Sequence, residues 1–119
     1  MEKVFESEYR FLSILWETEP IASPELVKLC NEKLGWKKST TYTVIKKLAD
    51  KGIVKSENTV VSALVTKAEV DKWQSDELLQ RTSKGNIPAF LAAFLKDRKL
   101  SKADIDSIRR IIDEAEDEG

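Results

Sequence analysis

Between Ser39 and Lys47 the sequence STTYTVIKK places four aliphatic hydroxyls, one phenol and two ammonium groups on a stretch short enough for one helix. Hydroxyls and phenols exchange hydrogen bonds with base edges and phosphate oxygens, and ammonium groups neutralise phosphate charge. Lys38 stands immediately before the run, and Lys55 follows it beyond Gly52. Residue types of this kind suit recognition of double-stranded DNA rather than bond making. The candidate DNA-contacting residues are Lys38, Ser39, Thr40, Tyr42, Thr43, Lys46, Lys47 and Lys55. Thr41 is left out, because helical spacing puts it with Val44, Ile45 and Leu48 on the apolar side.

Catalysis finds little support. The chain contains no histidine, which removes the commonest general base, the usual triad partner and the commonest metal ligand. It has no GxGxxG, no P-loop and no GxSxG. Its carboxylates are scattered among lysines at helical spacing and read as solvated faces. One cysteine, Cys30, permits no intrachain disulfide and makes no metal cluster by itself; its apolar neighbours place it in a core. No enzyme, no catalytic residue, no metal and no cofactor is expected.

The formal net charge of −1 conceals an uneven distribution. Residues 1–27 carry two basic and six acidic side chains, residues 28–55 eight basic and two acidic, and residues 56–119 ten and thirteen. The basic middle coincides with the hydroxyl-rich run, as an electrostatic footprint for phosphate requires. A hydrophobic fraction of 41% is that of a folded protein. No apolar run approaches the roughly 20 residues that span a bilayer, and the acidic start MEKVFESEYRF is not a secretory signal. A cytoplasmic location without membrane insertion is expected.

Several elements must position the basic run. Tyr9, Leu12, Leu15 and Trp16 recur at helical spacing over 7–17. In SPELVKLCNEKLG, Ser23 is a capping residue, Pro24 stands at the first helical position and Gly35 closes the end. Ser39 caps a third helix that runs to about Lys51, with Gly52 just past it. IVKSE and TVVSALV then form a hairpin that turns near Glu57 and Asn58. Thr66 and Glu69 make a capping box for a helix extending towards Lys84. GNIP interrupts, Pro88 starts the apolar helix PAFLAAFLK, and Ser101 starts a last helix striped with Ile105, Ile108, Ile111 and Ile112. The fold class is therefore mainly α with a small β-hairpin: a winged helix-turn-helix over residues 1–65, followed by a helical region over 66–119. In a helix-turn-helix the recognition helix enters the major groove, which is where the candidate residues would lie.

The ordered segment ILWETEPIASPELVKLCNEKLGWKKSTTYTVIKKLADKGIV resembles the core of the penicillinase-repressor family of bacterial transcriptional regulators, which includes β-lactamase, methicillin-resistance and copper-responsive repressors. Trp16, Trp36, the Thr-rich STTYTVIKKL helix and the Lys51-Gly52 pair carry the likeness. It continues through KGNIPAFLAAFLKDRKLSKADIDSIRRIID, similar in order and spacing to the family's C-terminal dimerisation region. The resemblance implies a homodimeric repressor on an inverted-repeat operator, regulating β-lactam resistance or a related stress response.

A dimer also suits the apolar surplus after residue 66. Val70, Trp73, Leu78, Leu79, Phe90, Leu91, Phe94, Leu95, Leu100, Ile105, Ile108 and Ile112 offer more surface than short helices bury alone. Of these, Trp73, Leu79, Phe90, Leu91, Phe94, Leu95, Ile105, Ile108 and Ile112 are the candidate dimerisation residues. The antibiotic-responsive relatives are cleaved at an Asn-Phe bond after a signal from a membrane metalloprotease sensor; aligned by KLS, that bond falls at Ala93-Phe94, which keeps Phe and lacks Asn. Phe90 and Phe94 read first as dimer-core aromatics, and cleavage is the second reading. Cys30 alone does not supply the cysteine cluster of the copper-responsive members, and the wing KSENTVVS has little positive charge beyond Lys55. A ligand-sensing winged-helix repressor of another family, and a winged-helix protein-interaction module that binds no DNA, are the alternative readings.

Overall fold

Phe11, Leu12, Ile14 and Leu15 share one side of a helix, and α1 (Glu6–Thr18) buries all four. Phe5 before it has no side-chain acceptor, so Glu8 reaches back and its Oε1 accepts the Phe5 N–H at 2.9 Å. Clearing a leucine or phenylalanine side chain from water stabilises the fold by about 1.5–3 kcal/mol. The computed structural model describes residues 1–116, and the chain divides into two compact units at Leu78 and Leu79.

In the first unit, α2 (Ser23–Leu34) carries Pro24 in its first turn and ends at Gly35 with φ 70°, a left-handed conformation that glycine adopts without a Cβ penalty. Ser23 does not cap it. Ala22 holds the N-cap position and Ser23 is buried, its N–H donating to the Thr59 carbonyl at 2.7 Å. Strand pairing, not a capping hydroxyl, fixes this start. The third helix, α3 (Lys38–Asp50), follows Lys37 without a side-chain cap, so Ser39 lies within its first turn. Trp36, stacked on Phe11 with centroids 6.3 Å apart and planes 3° apart, anchors the entry.

Gly52, with φ 75°, turns the chain into β2 (Val54–Glu57), which pairs with β3 (Val60–Ala63) in antiparallel register. The two connecting residues, Asn58 and Thr59, have φ of 52° and 64°, the positive values that a twisted two-residue hairpin turn requires. The sequence reading has no counterpart for β1 (Ile21–Ala22), which pairs with β3 and makes a three-stranded sheet of order β1-β3-β2. Two residues are too few to show a periodicity.

The helix α4 (Lys67–Ser83) starts at the expected capping box, with Glu69 N–H donating to Thr66 Oγ1 at 3.1 Å. Its beginning packs into the first unit. Tyr9 OH donates to Asp71 Oδ1 at 2.6 Å, and Trp16 Nε1 to the Val65 carbonyl at 3.0 Å. Val70 is fully buried there, so it is a core residue of the winged helix and not part of an apolar face left for a partner.

The second unit holds α5 (Ile87–Leu95) and α6 (Lys102–Glu114). The Asn86 side chain caps α5 by accepting the Ala89 N–H at 2.9 Å, ahead of Pro88 in the first turn. Ser101 caps α6 as expected, accepting the Asp104 N–H at 3.1 Å. Neither helix has a buried residue, although α5 is almost wholly apolar.

Candidate nucleic-acid interface

The basic run folds into a helix with two occupations. Thr41, Val44, Ile45 and Leu48 of α3 are buried, the last three packed in the core with Leu26 and Cys30 of α2. Lys38, Ser39, Thr40, Tyr42, Thr43, Lys46 and Lys47 are all exposed. A spacing of three and four residues gathers the first set on one side and leaves the second to solvent.

Local contacts set how the exposed groups present themselves. Thr43 Oγ1 donates to the Ser39 carbonyl at 2.9 Å, which leaves its lone pairs free to accept. Lys38 Nζ stands 5.9 Å from the Tyr42 ring centroid, a cation over a π face. The first turn of α3 contains no acidic residue, so nothing there opposes an approaching phosphate. Lys37, the extended residue before α3, is an exposed cation beside this face that the sequence reading omitted; its adjacency to Lys38 was the available signal.

Contacts behind the face join α3 to α2 and to α1. Cys30 and Thr41 meet between α2 and α3. Burial pushes the Cys30 thiol above its ordinary pKa, and the Thr41 hydroxyl partly offsets this. Cys30 is fully buried in the core cluster, so the cysteine serves packing. At the other end, Lys51 Nζ donates to both Glu8 carboxylate oxygens at 2.7 and 3.0 Å and to the Lys3 carbonyl at 2.8 Å. Glu8 is 3% exposed, which corrects its reading as part of a solvated face: the Lys51 ammonium permits its burial and ties the end of α3 to the start of α1.

Lys55 stands apart from the helix, on β2, with Nζ 2.8 Å from Glu57 Oε2. Its pKa is raised and that of Glu57 lowered, by hydrogen bonding to each other and then by mutual attraction. Of the apolar candidates beyond residue 66, Trp73, Leu79, Phe90, Leu91, Leu95, Ile105 and Ile108 are half-buried. Phe94 and Ile112 are 52% and 53% exposed. Phe90 and Phe94 stack at 6.2 Å, and the Ala93-Phe94 bond lies inside α5.

Residues 5–114 match the family described as penicillinase repressor. The chain belongs to the penicillinase repressor family. This is a family of transcriptional repressors with a DNA-binding winged helix and not of enzymes. Among similar proteins, the methicillin resistance regulatory protein MecI from Staphylococcus aureus strain Mu50 is 21% identical over 114 residues, covering 92% of this chain and 93% of that protein. An uncharacterized 16.5 kDa protein in the ptsI 3' region of Latilactobacillus sakei is 26% identical over 110 residues, covering 89% of this chain and 75% of that protein. A MarR/EmrR family transcriptional regulator from Acinetobacter sp. ADP1 superposes with a TM-score of 0.47 at 17% identity, over 92% of this chain and 71% of that one. No helix among the described residues is long and apolar enough to cross a membrane.

Proposed function

We propose that this member of the penicillinase repressor family acts in the cytoplasm as a homodimer that holds an inverted-repeat operator with α3 in the major groove and the β2-β3 wing against the DNA backbone. The exposed face of α3 carries the reading: hydroxyls, a phenol and ammonium groups share one side of a helix whose other side is locked in the core. Lys38, Lys46 and Lys47 hold phosphate. Ser39, Thr40, Tyr42 and Thr43 reach base edges or phosphate, and Lys55 approaches the backbone from the wing.

Within residues 66–119, the apolar positions beyond Val70 join the two subunits, which gives α5 and α6 the burial they lack within one chain. Two recognition helices about one turn of DNA apart then read two half-sites. The regulated genes belong to β-lactam resistance or a related stress response, in keeping with the names of the family and of its methicillin-resistance relatives. Release follows proteolysis at Ala93-Phe94, triggered by a membrane metalloprotease sensor.

The test is a mobility-shift series with an inverted-repeat duplex selected from a random pool. A dimer contacting about 6–10 phosphates loses roughly 10³–10⁵ in affinity between 50 and 200 mM salt. Failure to bind any duplex at the lowest salt would reject the DNA reading and leave protein interaction as the role of the winged helix.

A further inference from the structure

The wing has one cation, and a carboxylate holds it. From Ile53 to Val65, Lys55 is the only basic residue and Glu57 the only acidic one. Two positions apart on β2, they project from the same face of the sheet, opposite Ser62 and Val60 of β3. Their side chains are 58% and 62% exposed and meet at 2.8 Å. With Asn58, Val60 and Ser62 they border a shallow, open groove on the outer face of the hairpin. The core face of the same strands is occupied by Val54 and Val61, both buried.

We infer that Glu57 is an electrostatic brake on DNA binding, its carboxylate occupying the Lys55 ammonium and setting a negative charge where the wing meets phosphate. This rests on the DNA-binding reading above. To contact a phosphate, Lys55 must exchange one anion for another, and the displaced carboxylate then stands beside the backbone with like charge. Little electrostatic attraction remains on the wing, so affinity depends on α3 and on the pairing of subunits.

Glu57→Gln in the full-length protein tests the brake. An exposed pair contributes little to folding, so the urea midpoint should stay in place while DNA binding changes. Fluorescence anisotropy against the selected operator and a scrambled duplex should show tighter binding to both. Two freed lysines per dimer steepen the log–log salt slope by about 1.8, which enlarges the affinity ratio between 50 and 200 mM roughly tenfold. Adding Lys55→Met to that variant should return the slope to its starting value. If the wild-type protein binds and Glu57→Gln has the same slope, the brake is refuted and the DNA reading stands. A gain that survives in the double variant refutes the hold on Lys55, because repulsion by Glu57 would then be sufficient. A wild-type protein that binds no duplex removes both readings.

Discussion

Lys51→Met should cost the fold about 3 kcal/mol, at the lower end of the roughly 3–5 kcal/mol typical of breaking a buried ion pair. Glu8 is the more deeply placed partner, with its side chain 4% exposed against 17% for Lys51. Removing the ammonium strips both carboxylate oxygens of donors at 2.7 and 3.0 Å and leaves the Phe5 N–H at 2.9 Å. Water entering beside residue 51 recovers part of the loss, which favours the lower end of the range. The reverse change is milder. In Glu8→Gln the amide still accepts from Phe5, and the lysine head can turn to water along its flexible stem, so about 1–1.5 kcal/mol is expected. Urea unfolding at one fixed protein concentration measures both, because linkage to subunit association makes the midpoint concentration-dependent. A loss under about 1 kcal/mol for Lys51→Met, or a larger loss for Glu8→Gln, would refute the view that an uncompensated buried carboxylate dominates here.

On the outer face of α3, alanine at Lys46 or Lys47 should weaken all duplexes alike and lower the salt slope by about 0.9 for each phosphate that is no longer neutralised. Tyr42→Phe or Thr43→Val should instead change the preference among operator variants by about 1–3 kcal/mol for each base edge no longer read; competition titrations separate the two, and equal losses with unchanged preference would reject the assignment. Phe94→Ala should shift sedimentation equilibrium towards monomer, since about 1.5–3 kcal/mol per buried aromatic is counted twice in a symmetric pair; an unchanged dimer rejects the placement of Phe94. Asp71 has a pKa lowered first by its bond with Lys67 and then by that with Tyr9. A carboxylate whose folded value is depressed contributes stability above its unfolded value and loses it as pH falls through the folded one. Stability should therefore decline below the ordinary Asp value of 3.8, and Asp71→Asn should flatten that decline in acid urea titrations.

Local chemistry was legible in the chain and distant pairing was not. The Thr66–Glu69 box, the Ser101 cap, Gly35 and Gly52 all act within a few residues of themselves, and each stands where its residue type requires. The alternation of core and surface on α3 followed from spacing alone, including the burial of Thr41. Starts fixed from afar were displaced: Ser23 answers to Thr59 across the sheet, and α3 begins under a tryptophan stacked on Phe11. The Glu8–Lys51 and Tyr9–Asp71 contacts join residues 43 and 62 positions apart. Nothing in a carboxylate's sequence neighbours says that a lysine from another helix will meet it. The candidate reading face was visible because one helix carries all of it except Lys55; the restraint on Lys55 needed the strand register that aims Glu57 the same way.

The division of labour along α3 also bears on how such a regulator changes its target over generations. Positions 40, 42 and 43 are exposed while 41, 44 and 45 are buried, so the residues proposed to select a sequence are not the ones that hold the helix in place. Substitutions at exposed positions generally move stability by less than about 0.5 kcal/mol. On the proposed reading, exchanges at the outer positions would redirect the protein to new operators while the fold is kept, because the frame that aims them, from the Trp36 stack to the Lys51 anchor, is built from other residues.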